Sequence, residues 1–278
     1  MRYINFNGKL VDENVAVFDA ASRLRFGDGF FESMRMFHGK VAFIDEHFER
    51  IMQSVVLLKM QLPDVWSKAF LENEISKLAD INKCRFGRVR IQFYRVGAGR
   101  YLPNEHRCGF LMEIENDSME SYALHILKTI DVSIQYTKSI HNIGNVKSGS
   151  ALLHVLASIE AKTRTLDEMI LLNTSGNICE ALASNFFMVS DGIVFTPPLE
   201  SGCVDGVMRK KTIEILLSTG VAIYERNCSV SDLKNANEVF LTNASKGLQT
   251  VERFGNNVLA SNEVAELLTK KLNRLAVQ

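Results

Sequence analysis

The sequence predicts a mixed α/β (α+β) chain of two domains. Strand-like alternation and helix-like spacing occur in both halves, which argues against an all-α or all-β chain. Val89, Ile91 and Phe93 alternate with Arg88, Arg90 and Gln92, the period of a half-buried strand. Leu152, Val155, Leu156 and Ile159 recur at helical spacing. Between them, Asn116-Asp117-Ser118-Met119-Glu120-Ser121 is polar and acidic and reads as a linker. The expected domains are 1–118, small and N-terminal, and 119–278, larger.

Taken in order, Tyr3–Phe6 and Val15–Phe18 read as short strands, and Phe26-Gly27-Asp28-Gly29 as a tight turn with glycines free to take positive φ. Phe30 to Phe43 reads as a hairpin with His38-Gly39-Lys40 at its tip. Asp45 is placed to cap a helix bearing Phe48, Ile51, Met52, Val55 and Leu58. Pro63 suits the first turn of another helix, running to Leu78. Past the linker, a strand is expected over Leu124–Gln135. A helix then follows Lys147, capped by Ser148 or Ser150 and ending near Arg164. Glu168–Asn173 reads as a strand, and Ile178–Val189 as one extended apolar run. Ser190-Asp191-Gly192 turns into Ile193–Thr196, and Pro197-Pro198 opens a loop to Gly206. The next helix carries Ile213, Leu216 and Leu217 on its apolar face and ends at Gly220. Strands at Val221–Glu225 and Glu238–Thr242 precede a final amphipathic helix with Val264, Leu267, Leu268 and Leu272.

Composition narrows the function. The 278 residues carry 32 Lys plus Arg against 32 Asp plus Glu, so net charge gives no sign of nucleic acid or an anionic membrane as partner. Five cysteines at long spacings, with no Cys-x-x-Cys, fit a reducing cytoplasm better than a disulfide framework or zinc cluster. Six scattered histidines lack metal-ligand spacing, so no metal is expected. The N-terminus does not read as a signal peptide, and no apolar run reaches membrane-spanning length.

Four places carry candidate chemistry, each with two readings. Lys147, among small residues before a helix, is a surface charge or an amine that loses its proton and attacks a carbonyl. Glu180 interrupts an apolar strand. It lies on a solvent face or beside a structural arginine, or it pairs with a buried cation such as a protonated ring nitrogen. Gly206-Val207-Met208-Arg209 opens a helix whose free N–H groups make an anion site, as those of any helix do. Arg50 is a surface charge beside Glu46 or a bidentate phosphate ligand.

In order along the chain stand Phe26-Gly27-Asp28-Gly29 with Glu32, His47-x-x-Arg50, Val146-Lys147, and Glu180 with Ser184-Asn185-Phe186. Gly206-Val207-Met208-Arg209 and Thr242-Asn243-Ala244 follow. Together they resemble the class IV aminotransferase family, fold-type IV enzymes that use pyridoxal 5′-phosphate. The resemblance implies that Lys147 carries the cofactor's aldehyde and then moves the substrate's α-proton. It pairs Glu180 with the pyridine nitrogen. It assigns the phosphate to Arg50 and to the backbone of Gly206, Val207 and Met208. Ser184, Asn185, Asn243 and Ala244 line the cofactor, and a homodimer with sites near the subunit interface is implied.

Within the family the motifs are most similar to 4-amino-4-deoxychorismate lyases, through Phe26 to Phe31, Gly206 to Arg209 and Asn243-Ala244. Branched-chain aminotransferases usually have threonine where Met208 stands, and Gly-Thr-Ala-Ala in the late loop. D-amino acid aminotransferases have a tyrosine where Phe31 stands and an Arg-x-His pair, whereas Arg100 is followed by Tyr101-Leu102. The lyase resemblance makes Phe31, Arg90, Arg100 and Ser245 the expected substrate contacts. A transaminase of branched-chain or D-amino acids is the alternative.

Overall fold

The structure is a computed structural model that describes residues 2–15, 23–259 and 261–276. Contacts divide the chain into two units. Unit 1 is Met1–Ser121 with Lys147–Ser150, and unit 2 is Tyr122–Val146 with Ala151–Gln278. The expected division at 118/119 did not include this short return of the chain to unit 1. The strand expected at 15–18 lies, beyond Val15, outside the described residues.

Unit 1 is built on strands β1 (Tyr3–Phe6), β2 (Lys9–Asp12), β3 (Gly29–Phe37), β4 (Lys40–Val41), β5 (Gly87–Arg95) and β6 (Cys108–Asn116), with helices α1 (Ile44–Leu57) and α2 (Lys68–Ile81). The sheet runs β2-β1-β6-β5-β3-β4, with antiparallel pairs throughout. The alternation read along β5 holds: Val89, Ile91 and Phe93 are fully buried. Phe93 stacks on Phe30 at 4.5 Å, and Trp66 packs edge-on against Phe93 and Phe110. The hairpin tip also holds, with His38 and Gly39 both at positive φ between β3 and β4.

The helix starts are corrected. Phe43 in the left-handed region precedes α1 with no side-chain cap, and Asp45 lies inside the first turn, paired with Lys68. There its charge favours the positive helix end without accepting a cap hydrogen bond. Helix α2 starts at Lys68, because the Ser67 hydroxyl accepts the Phe70 N–H at 3.1 Å; Pro63 only opens a turn closed by Trp66.

Unit 2 holds β7 (His125–Leu127), β8 (Ile130–Lys138), α3 (Leu152–Thr163), β9 (Glu168–Asn173), β10 (Ile178–Ala181), β11 (Asn185–Ser190) and β12 (Ile193–Thr196). Then come α4 (Val207–Ser218), β13 (Ile223–Glu225), α5 (Val230–Lys234), β14 (Glu238–Asn243), β15 (Gly247–Val251), β16 (Arg253–Phe254), β17 (Asn257–Val258) and α6 (Glu263–Ala276). They form two sheets, β10-β9-β8-β16-β17 and β13-β12-β11-β14-β15-β7. Ile170, Ile178, Phe186, Met188, Val239, Leu241 and Phe254, drawn from both sheets, share one buried cluster. Phe187 and Phe240 stack at 5.0 Å and are fully buried.

Two expected single strands are each two strands in different sheets. Leu124–Gln135 divides into β7 and β8, and Ile178–Val189 into β10 and β11. Both runs have apolar residues on either side of the break, so neither marks the change of sheet. The apolar stripe of α3 is also corrected. Leu152, Val155 and Ile159 are 68%, 52% and 58% exposed, and the inward face holds Ala157, Glu160 and Ala161. The Glu160 carboxylate turns that face inward by accepting the Ser133 hydroxyl at 2.7 Å and the Ile134 N–H at 3.0 Å. In α4, Ile215 and Leu216 are buried while Leu217 is exposed. Among the described residues no helix is long and apolar enough to cross a membrane.

Close approach of backbones makes Gly29 irreplaceable: a Cβ there would lie 2.1 Å from the Phe93 carbonyl oxygen on β5. Gly29→Ala is expected to cost about 1–3 kcal/mol by forcing β3 from β5. Urea unfolding checks this, and an unchanged midpoint would show that Gly29 does not set the strand spacing.

Candidate active site

In unit 1 the Lys147–Ser150 segment lies along the start of β3. The Phe31 N–H donates to the Lys147 carbonyl at 2.9 Å, the Gly149 N–H to the Gly29 carbonyl at 2.9 Å, and Phe30 bridges Ser148. The Phe26-Gly27-Asp28-Gly29 turn suits this docking. Gly27 takes φ 65°, and a Cβ on it would meet the Ser150 hydroxyl at 2.2 Å. Asp28 is held by two buried arginines, Arg23 at 2.6 Å and Arg95 at 3.0 Å. Ser148 does not cap α3. Its hydroxyl accepts the Ser150 N–H at 3.1 Å, and α3 follows Ala151 without a side-chain cap.

This pairing sets the Lys147 amine 4.3 Å from the centre of the Phe31 ring, and the Arg90 guanidinium lies 4.3 Å from the same centre. A lysine and an arginine thus share one aromatic ring, each attracted by its π electrons. Arg100 is exposed; its carbonyl accepts from Arg23, anchoring the 97–101 loop.

Arg50 is buried, which removes its surface-charge reading. Its Nε and one terminal nitrogen donate to the two oxygens of Glu32, each at 2.7 Å. His47 is fully buried, and its Nδ1 meets Glu32 Oε2 at 2.8 Å; a carboxylate only accepts, so Nδ1 carries the hydrogen. Burial pushes the Glu32 carboxyl up, but the Arg50 charge and the hydrogen bonds from His47 and Arg50 outweigh it and hold it at about 2. Burial also lowers the His47 pKa, against the pull of Glu32.

In unit 2, Glu180 is buried on β10 and ionised. Burial raises its pKa, and Lys138 and His154 more than offset this, leaving it at about 2. Glu180 Oε1 accepts from Lys138 Nζ at 2.5 Å and His154 Nε2 at 3.1 Å, while Oε2 accepts the Val204 N–H at 2.7 Å. The solvent-face and structural-arginine readings are both replaced by a buried lysine. On the other side of Val204, the Asn185 amide donates to its carbonyl at 2.8 Å. Glu180 and Asn185 thereby clamp the loop that leads into α4. Gly206 precedes α4 with no side-chain cap, and a Cβ on it would lie 1.9 Å from Asn185 Oδ1. The first-turn N–H groups of α4 are therefore left for an acceptor other than a cap. The side chains of Val207 and Met208 are buried, so only their backbone can meet an anion.

Asn243 supports rather than projects. Its Oδ1 accepts the N–H groups of Ser245 and Lys246, and its Nδ2 donates to the Ser184 hydroxyl at 2.8 Å, which also accepts from Gln249. The Ala244 carbonyl accepts from the Tyr122 hydroxyl at 3.0 Å. Lys138 and His154 were not anticipated. Each is one polar residue with no motif around it, and only the pairing of β8 with β9 and the packing of α3 bring them to Glu180.

A family model for amino-transferase class IV matches residues 29–254. A protein named "Putative branched-chain-amino-acid aminotransferase" from Methanocaldococcus jannaschii is 29% identical over 97% of this chain and 93% of its own length. A D-alanine aminotransferase from Bacillus licheniformis is 25% identical over 92% of this chain and 89% of its own. Among solved structures, a "Putative 4-amino-4-deoxychorismate lyase" from Legionella pneumophila superposes with TM-score 0.86 at 22% identity, covering 95% of this chain and 97% of its own. The mixed α/β fold is thus that of the fold-type IV enzymes. The chain belongs to the class IV aminotransferase family and is an enzyme of that class.

The buried acids make stability depend on pH. Glu32 and Glu180 titrate near 4.5 when unfolded and at about 2 when folded. Between those values the unfolded chain binds more protons. The stability they add is therefore complete above about pH 4.5 and lost as pH falls toward 2. Melting temperatures at pH 7, 5, 4 and 3 should fall across the last steps, and Glu32→Gln should melt lower at pH 7 with a shallower acid slope. The substitution leaves Arg50 without its acid, at a cost of about 3–5 kcal/mol.

Proposed function

We propose that the chain binds pyridoxal 5′-phosphate and acts as a 4-amino-4-deoxychorismate lyase, releasing 4-aminobenzoate and pyruvate. The observation that carries the reading is the shared ring of Phe31. The Lys147 amine and the Arg90 guanidinium each lie 4.3 Å from the centre of that ring, an arrangement that suits a carboxylated six-membered ring. The residues fit the cofactor. Glu180 is a buried anion whose Oε2 has one backbone donor, which leaves it able to hold a cationic ring nitrogen. The uncapped start of α4, with Gly206, Val207 and Met208, suits a phosphate, and Arg50 is the arginine that the family resemblance assigns to it. Ser184, Asn185, Asn243 and Ala244 shape that side of unit 2.

When bound, the cofactor links to an amine and draws electrons from the carbon beside it. Lys147 takes the proton from the amine-bearing ring carbon and holds it while the neighbouring carbon–oxygen bond breaks. The enol of pyruvate leaves and recovers a proton, and the ring becomes aromatic. Arg90 holds a ring carboxylate, with Arg100 and Ser245 as further substrate contacts. No amino acceptor is consumed.

The enzyme works as a homodimer in the cytoplasm. The outward apolar face of α3 at Leu152, Val155 and Ile159 supports a second copy as its cover, and five buried, unbridged cysteines support a reducing compartment. A second reading, a transaminase of branched-chain or D-amino acids using a 2-oxo acid acceptor, is favoured by the whole-length aminotransferase relatives.

The cofactor-loaded protein given 4-amino-4-deoxychorismate and no 2-oxo acid should release pyruvate. No pyruvate, together with an absorbance change on adding L- or D-amino acids, would replace the lyase by the transaminase. Lys147→Ala should lose the visible absorbance of bound pyridoxal phosphate, and an unchanged spectrum would refute the role of Lys147.

A further inference from the structure

Arg90 stands apart from the other arginines of the unit 1 sheet. Arg35, Arg88 and Arg95 each pair with a carboxylate, to Asp117, Glu115 and Asp28. Arg90 has none within ion-pairing distance among the described residues. Glu113, opposite it on β6, acts on its charge only at longer range. The guanidinium rests on Phe31, and its one hydrogen bond runs from a terminal nitrogen to Gln92 Oε1 at 3.3 Å. Of five guanidinium N–H donors, four have no acceptor among the described residues.

Gln92 is the fixed party in that contact. Its Nε2 donates to the Phe30 carbonyl at 3.1 Å and to the Phe93 carbonyl at 3.0 Å. Two carbonyl acceptors determine which end of the amide carries hydrogen, so the oxygen has to face Arg90. The same Nε2 lies 3.2 Å from where a Cβ on Gly149 would stand, against the segment that carries Lys147. One side chain therefore touches β3, β5, the Lys147 segment and the substrate-side cation.

We propose that Gln92 is the positioning residue for Arg90, holding its guanidinium over Phe31 so that the spare N–H groups meet a substrate carboxylate at a set place relative to the Lys147 amine. The substrate class is an amine that bears a carboxylate away from the reacting carbon. This rests on the reading above that Arg90 receives a carboxylate. An arginine loses much side-chain freedom when it closes on a ligand, and a neighbour that has already ordered it lowers that cost. A neutral amide can orient the guanidinium without neutralising it, as a carboxylate at position 92 would do.

The test is calorimetric titration of benzoate, a carboxylate with no amine, into the chain reconstituted with pyridoxal phosphate. Arg90→Gln should weaken benzoate about tenfold, the worth of one charged hydrogen bond. Gln92→Met should weaken it about fivefold in the native background and add nothing in the Arg90→Gln background. Gln92→Glu, which retains an oxygen toward Arg90 but cancels its charge, should weaken benzoate at least as much, and stands in if the methionine variant melts early. A Gln92→Met loss of equal size in both backgrounds, or no loss, overturns the positioning role while leaving Arg90 as a carboxylate ligand. No effect of Arg90→Gln itself overturns both.

Discussion

The structure of the candidate site depends on a short backbone ladder, four residues of the 147–150 segment laid on the first residues of β3. Two hydrogen bonds of 2.9 Å and one bridge position the lysine. Backbone pairing fixes a side chain more closely than a loop would, because register and direction follow from the ladder. The turn before β3 provides for it at every position: Gly27 leaves room for Ser150, Asp28 ties two buried arginines, and Gly29 lets β3 close on β5. A turn motif far from Lys147 in sequence is therefore part of how Lys147 is held.

Charge is handled by the same means in both units. Each buried acid, Glu32 and Glu180, has two side-chain partners, an arginine or a lysine and a histidine. The cations outweigh the burial penalty and keep both acids ionised, which a buried carboxylate without partners would not be. The arrangement leaves one oxygen of Glu180 with a single backbone donor and the start of α4 without a cap. Val204, clamped at its N–H by Glu180 and at its carbonyl by Asn185, makes these two features rigid with respect to each other.

Much of the secondary structure was legible because period and punctuation agree where an element has one polar face. The β5 alternation, the hairpin tip at His38-Gly39 and the end of α4 at Gly220 are examples. Legibility failed where burial was two-sided or the pull came from afar. Ile178–Val189 has apolar residues on both sides of Ser184-Asn185, so no change of period marks its change of sheet at 182–184. The α3 face turned inward by Glu160 is less apolar than the one left outside, a choice made by Ser133 and Ile134 on β8. The strands after Val251 are too short to carry a period.

The sequence by itself determined the kinds of chemistry available: one lysine before a helix, one acid in an apolar strand, a glycine at a helix mouth, and an order of motifs resembling one family. Residue type and spacing suffice for that, because they are local. Only the tertiary structure decided the company each residue keeps. It placed Lys147 and Arg90 on one ring, gave Arg50 to Glu32, and brought Lys138 and His154 to Glu180. Those contacts join residues tens of positions apart, and no local pattern encodes them. They follow from strand register and helix packing, which settle only when the sheets close.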